Sequence, residues 1–264
     1  EYHPLFGFGE ERIVDNVHPK AEPFLLTGNS GTCILLIHGF TSSPSELREL
    51  GERLNQQGFT VRAPLLPGHG SSPVDLNETT WRDWYGKVKG EVEGLQSLCS
   101  SLFLVGLSMG GLLALKAAAE LEGIRGVVTI NAPIFFKGSL VPFARILRFI
   151  RPYMPKKLDD NYRIMRAQDR FAYDEIPVKA FLSVKELSRQ VVRDLKNVKV
   201  PVLIFQSKND ESIEERSALV IRGQVGSREE NLIWLEKSSH VATMGPELPF
   251  ITGEICRFIH KHTN

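Results

Sequence analysis

The stretch Ser101–Glu122, SLFLVGLSMGGLLALKAAAELE, constrains the fold more than any other part of the chain. It begins as a short continuous apolar run, the pattern of a strand buried on both faces. It passes through a serine set among glycines directly into a helix-forming run. A strand of this kind needs a layer of structure above and below its sheet. The helix that follows it without a spacer is one of those layers.

The same alternation recurs along the chain. TCILLIHG (Thr32–Gly39) is a second buried strand ended by glycine. SELRELGERLNQQG (Ser45–Gly58) is an amphipathic helix with leucines at 47, 50 and 54, closed by Gly58. FTVRAP continues as a strand, and TTWRDWYGKVKGEVEGLQSL as a helix with Thr79 or Thr80 as N-cap. GVVTIN (Gly126–Asn131), VPVLIFQS (Val200–Ser207) and NLIWLE (Asn231–Glu236) are further strands, and the last helix covers roughly Leu248–His260. The fold class that follows is α/β: a mostly parallel central sheet flanked by helices. One segment breaks the rhythm. Ala132–Lys199 is about seventy residues long, where ~10–15 make a crossover helix. It carries helical patterns of its own, VPFARILRFI and IPVKAFLSVKELSRQVVRDL. It reads as a helical cap, residues 132–199, inserted over the carboxyl edge of a core formed by residues 1–131 and 200–264.

Gly106-Leu107-Ser108-Met109-Gly110 is G-x-S-x-G between a strand and a helix, the context of a nucleophile elbow. So tight a turn strains the serine backbone and leaves no room for side chains at the flanking glycines. The helix N-terminus beyond it favours negative charge at the serine. No G-x-x-x-x-G-K-[ST] and no G-x-G-x-x-G is present to support a phosphate loop.

A serine hydroxyl needs a base within reach. With the elbow, the partners follow in the order serine, acid, histidine. Of the seven histidines, four precede Ser108, and His260 and His262 end the terminal helix. His240, in a loop just after the last strand, is the candidate base. The acid belongs in the loop after the preceding strand, where SKNDES offers Asp210 and, as a competitor, Glu211. A carboxylate there would fix the imidazole tautomer and stabilise the imidazolium. Two backbone N–H groups fit an oxyanion hole: that of Met109, next to the nucleophile, and that of Phe40, in the loop after the first buried strand. His38 reads as a structural brace of that loop. The hydroxyls of Thr41, Ser42 and Ser43 read as turn bonds.

LLIHGFTSSPSELRELGERL, GFTVRAPLLPGHG, TTWRDWYGKV, GLSMGG, SKND and SSHVAT together resemble the α/β-hydrolase superfamily, and within it small bacterial carboxylesterases and monoacylglycerol lipases. The resemblance implies a Ser108–Asp210–His240 triad with Phe40 and Met109 at the oxyanion hole. It also implies hydrolysis of short- to medium-chain acyl esters or monoacylglycerols through an acyl-enzyme, without a cofactor or metal. The cap gives no residue-by-residue match. A thioesterase, or a small-molecule receptor that keeps the fold and triad, is the alternative. A dehalogenase would need an aspartate in place of Ser108.

Within the cap, Lys137, Arg145, Arg148, Arg151, Lys156 and Lys157 interleave with apolar residues at helical spacing and no acid. That pattern would suit an acyl-pocket wall or a weak lipid-interface contact. A net charge of +1 provides no global field for nucleic acid, so the expected partner is a small ester. Cys33, Cys99 and Cys256 lack metal-ligand spacing and read as reduced, buried thiols. Residues 1–20 are charged and lack a basic-then-apolar leader pattern. Both observations lead to the expectation of a cytoplasmic protein.

Overall fold

In β4 (Ser101–Leu107) and β2 (Thr32–Ile37) every residue is buried, which places both strands inside a sheet covered on both faces. The computed structural model describes residues 16–138, 150–156 and 160–263. Its main sheet has seven strands in the order β1-β3-β2-β4-β5-β8-β9. The remaining strands are β1 (Phe24–Leu26), β3 (Thr60–Ala63), β5 (Ile124–Ile130), β8 (Val202–Ser207) and β9 (Glu230–Leu235). All neighbours run parallel except β1, which pairs antiparallel with β3. The apolar rows are in register across the middle of the sheet, with Leu36 opposite Val105 and Val105 opposite Val128. β1 is an edge strand of three residues, too short to show a period in the sequence.

Each face carries its own apolar layer. On one side lie α3 (Trp81–Gln96), α4 (Met109–Glu120) and α6 (Val178–Asp194), contributing Val88, Leu112, Leu115, Val184 and Leu187. On the other lie α1 (Arg48–Asn55) and α8 (Leu248–Thr263), contributing Leu50, Leu54, Ile251, Ile255 and Ile259. Full burial of each such side chain stabilises the fold by about 1.5–3 kcal/mol. Thr80, not Thr79, is the N-cap of α3, and its N–H donates to the Asp83 carboxylate at 2.8 Å. α2 (Pro73–Asn77) and α7 (Arg216–Gln224) complete this part of the chain.

Between β5 and β8 the described residues form a two-stranded antiparallel sheet, β6 (Tyr153–Pro155) with β7 (Glu175–Pro177), and α5 (Asp160–Ala167) before α6. The helix expected over VPFARILRFI lies outside the described residues except for Ile150, as do Arg145, Arg148 and Lys157 of the basic segment. The excursion is fastened to the loops after β2 and β3. The Tyr173 N–H donates to Thr41 O at 2.8 Å, the Phe171 N–H to Ser45 Oγ at 2.9 Å, and the Tyr173 hydroxyl to Gly68 O at 3.0 Å.

The cysteines correct one expectation. Cys33 and Cys99 form a disulfide, with their Cα atoms 5.8 Å apart. Cys33 lies on β2 opposite Leu102 of β4, which brings it beside the turn that carries Cys99. A sequence separation of 66 hides that proximity in the sequence. Cys256 stays free and partly buried. The thiol argument for a cytoplasmic location therefore falls away. Among the described residues no helix is long and apolar enough to cross a membrane.

Candidate active site

Ser108 stands between β4 and α4 with φ 53° and ψ −121°, a strained conformation for a residue with a side chain. Its N–H is held by Ile130 O at 2.8 Å, and its own carbonyl accepts the Gly111 N–H at 2.8 Å. The flanking glycines are required by contact. A Cβ on Gly106 would lie 2.2 Å from the Gly110 backbone, and one on Gly110 would lie 1.9 Å from Ile37 O. The turn therefore exists only because β2, β4 and α4 meet there without intervening side chains.

His240 follows β9, and its Nε2 lies 2.9 Å from Ser108 Oγ. Its Nδ1 lies 2.8 Å from Asp210 Oδ2. Asp210 is buried at the end of β8, and its other oxygen accepts the N–H groups of Ser212 and Ile213 at 2.8 and 2.9 Å. A carboxylate so fixed accepts the hydrogen bond of Nδ1–H and keeps the proton on that nitrogen, leaving Nε2 as the acceptor that faces the serine hydroxyl. Burial depresses the His240 pKa, but the Asp210 charge and hydrogen bond, with Glu211 and Glu46 further off, outweigh it and hold the pKa above the ordinary 6.5. Glu211, the competing acid, bonds elsewhere: its carboxylate accepts the backbone N–H of His240 at 3.1 Å.

Phe40 and Met109 border the same cavity as Ser108 and His240. Among the described residues no protein acceptor receives either backbone N–H, as expected for Met109 in the first turn of a helix. His38 accepts the Leu66 N–H on Nε2 at 3.1 Å and therefore donates from Nδ1 to Gly39 O at 2.9 Å. Burial holds its pKa below the ordinary value. It is a neutral brace that joins the loop after β2 to the loop after β3.

Three supports of this site carry no sequence signal. Glu46 is buried beneath the Gly39–Phe40 turn. One of its oxygens accepts the Gly39 N–H at 2.7 Å, and the other accepts Ser42 Oγ at 2.5 Å and an Arg170 N–H at 3.2 Å. Asn131, at the end of β5 with φ 51°, donates to His240 O at 2.7 Å and accepts the Ser207 N–H at 2.7 Å. Thr41 is held at φ 62°, rare for a β-branched residue, by its contacts to Tyr173 and Lys156. A polar residue at a strand end or in a turn reads as a surface residue until the partner that buries it is known.

The cavity in front of Ser108 has a volume of about 640 Å³, within the usual range for small-molecule sites. Phe136, Met154, Met165, Ile176 and Phe181 form much of its wall. All five come from the excursion between β5 and β8.

A parallel sheet with a serine elbow at the carboxyl end of a central strand, and with histidine and acid on later strand ends, defines an α/β hydrolase. The chain belongs to the Hydrolase_4 family, described as serine aminopeptidase S33, whose model matches residues 28–247. It is 33% identical over 244 residues to the thermostable monoacylglycerol lipase of Bacillus sp. (strain H-257), covering 92% of this chain and 95% of that one. It is 30% identical over 246 residues to a carboxylesterase of Bacillus subtilis (strain 168), covering 93% and 98%. A solved structure from work on LipS and LipT, two metagenome-derived lipolytic enzymes, superposes with a TM-score of 0.85 at 32% identity, covering 94% of this chain and all of that one.

Proposed function

We propose that the protein hydrolyses carboxylic esters of short- to medium-chain acids, or monoacylglycerols, with Ser108, His240 and Asp210 as its catalytic triad. Relatives named carboxylesterase and monoacylglycerol lipase match over nine-tenths of the chain. The observation that carries the reading is the unbroken relay from Asp210 through His240 to Ser108, with spacings of 2.8 and 2.9 Å, opening on an apolar cavity. Ser108 Oγ attacks the ester carbonyl as His240 Nε2 takes its proton. The developing oxyanion is held by the Phe40 and Met109 N–H groups. Collapse breaks the bond to the alkoxy oxygen, which leaves as the alcohol with the proton from His240. Water, deprotonated by the same imidazole, then releases the acid and restores Ser108. Within residues 132–199 the part before α6 serves as the cap, while α6 packs beside α4 in the layer on the sheet face, and the apolar wall they present sets the acyl length that fits.

Rates across p-nitrophenyl esters and monoacylglycerols of rising chain length test this reading. Turnover should pass through a maximum with acyl length and vanish in a folded Ser108→Ala variant. Turnover that persists in that variant, or ester binding without turnover in the wild type, would overturn it. The second outcome is that of a receptor.

A further inference from the structure

The cavity wall is chemically uneven. Among the described residues that line it, Lys137, Lys156 and Arg170 are cationic, and Glu211 is the one carboxylate. Arg170 is committed to Glu46, Lys137 donates to Asp210 O at 2.6 Å, and Glu211 holds the His240 N–H. Lys156 differs. Its ammonium donates to Thr41 Oγ1, and among the described residues no carboxylate forms an ion pair with it. The two carboxylates whose charge it feels, Glu46 and Asp174, are occupied: Glu46 by Gly39, Ser42 and Arg170, Asp174 by Tyr162 and Arg166. An ammonium has three donors, and among the described residues one is used. Holding a cation half out of water without a paired counter-charge is costly. Burial, followed by repulsion from Arg170, pushes the Lys156 pKa down to about 7. The group accepts this cost beside the Phe40–Thr41 turn, in the wall that faces Ser108.

We propose that Lys156 is an anion-recognising residue of the cleft, and that the preferred ester carries a carboxylate on its acyl or its alcohol part. The inference rests on the ester-hydrolase reading and narrows its substrate class. A carboxylate at Lys156 supplies the missing counter-charge and takes up the free donors. The apolar wall of Phe136, Met154 and Phe181 accommodates the chain between that charge and the ester carbonyl.

Two matched pairs separate the acyl side from the alcohol side. The first compares p-nitrophenyl hydrogen suberate with the p-nitrophenyl ester of suberamic acid. The second compares 3-carboxyphenyl butyrate with 3-carbamoylphenyl butyrate. In one pair the wild type should favour the carboxylate by roughly tenfold in kcat/KM, the scale of one charged hydrogen bond. That ratio should fall to about one in Lys156→Met and survive in part in Lys156→Arg, with Lys156→Gln used if the methionine variant does not fold. A wild-type ratio near one in both pairs, or a ratio unchanged in Lys156→Met, would overturn the inference and leave the esterase reading standing. Turnover of none of the four esters would overturn the esterase reading, and the inference with it.

Discussion

His240 Nε2 lies 2.9 Å from Ser108 Oγ across 132 residues of sequence, while Nδ1 of the same ring lies 2.8 Å from Asp210. The imidazole is a base only when neutral, and its pKa is held above 6.5. Activity should therefore rise with pH through a midpoint above that value. Replacing Asp210 by asparagine removes the main opposition to burial and leaves the tautomer unfixed. The midpoint should move down, and kcat should fall by roughly 10³–10⁴. A kcat/KM profile of the two proteins from pH 5 to 9 checks both shifts, and a wild-type midpoint at or below the ordinary value contradicts the electrostatics.

Glu211 should behave differently, because it binds the backbone N–H of His240 rather than the ring. Glu211→Gln keeps an acceptor for that N–H. Its kcat should drop by about tenfold at most, the worth of one weakened hydrogen bond. A loss as large as that of Asp210→Asn would reassign the acid.

The Glu46–Arg170 pair ties the cap to the turn that carries Phe40, and its side chains are 2% and 10% exposed. Arg170→Met leaves a buried carboxylate unpaired and should cost about 3–5 kcal/mol in urea unfolding. Adding Glu46→Gln should recover part of that loss. Burial raises the Glu46 pKa, but Arg170, Ser42 and the Gly39 N–H outweigh it, and the net value lies below the ordinary 4.5. The pair's contribution is therefore present above that pH and lost as the pH falls through the folded value. Arg170→Met should accordingly show a smaller loss of stability on acidification than the wild type.

Gly106→Ala and Gly110→Ala each insert a methyl into backbone that cannot retreat, at 2.2 Å and 1.9 Å. Each should destabilise the fold by roughly 3 kcal/mol or more, judged from overpacked cores. Gly86→Ala, where a Cβ would meet nothing within 4 Å, is the control and should be stabilising or neutral. Equal melting temperatures for all three would rule out the close approach.

The Cys33–Cys99 bond closes a loop of 66 residues. Loop-closure entropy assigns a bond of that span about 4 kcal/mol. Reductant, or Cys99→Ser, should lower the unfolding midpoint correspondingly, whereas Cys256→Ser should not. An unchanged midpoint under reducing conditions would mean that the pair does not constrain the unfolded chain.

The sequence by itself determined the fold class and singled out the candidate nucleophile. Runs such as Leu102–Leu107 read as strands covered on both faces, and a serine between Gly106 and Gly110 at a strand-to-helix junction reads as a nucleophile elbow. Both are local patterns, written in residues that touch one another along the chain. Chain order further narrowed the histidines to His240 and favoured Asp210 as the acid, with Glu211 as its competitor. Tertiary structure sets the two carboxylates apart, Asp210 facing Nδ1 and Glu211 the backbone N–H of His240. It also decided the pairing of Cys33 with Cys99, the burial of Glu46 against Arg170, the strained Thr41 and Asn131, and the placement of Lys156 in the cavity wall with no carboxylate ion pair among the described residues. Each is a contact between segments far apart in sequence, and neither periodicity nor propensity specifies what a polar side chain meets once the layers close.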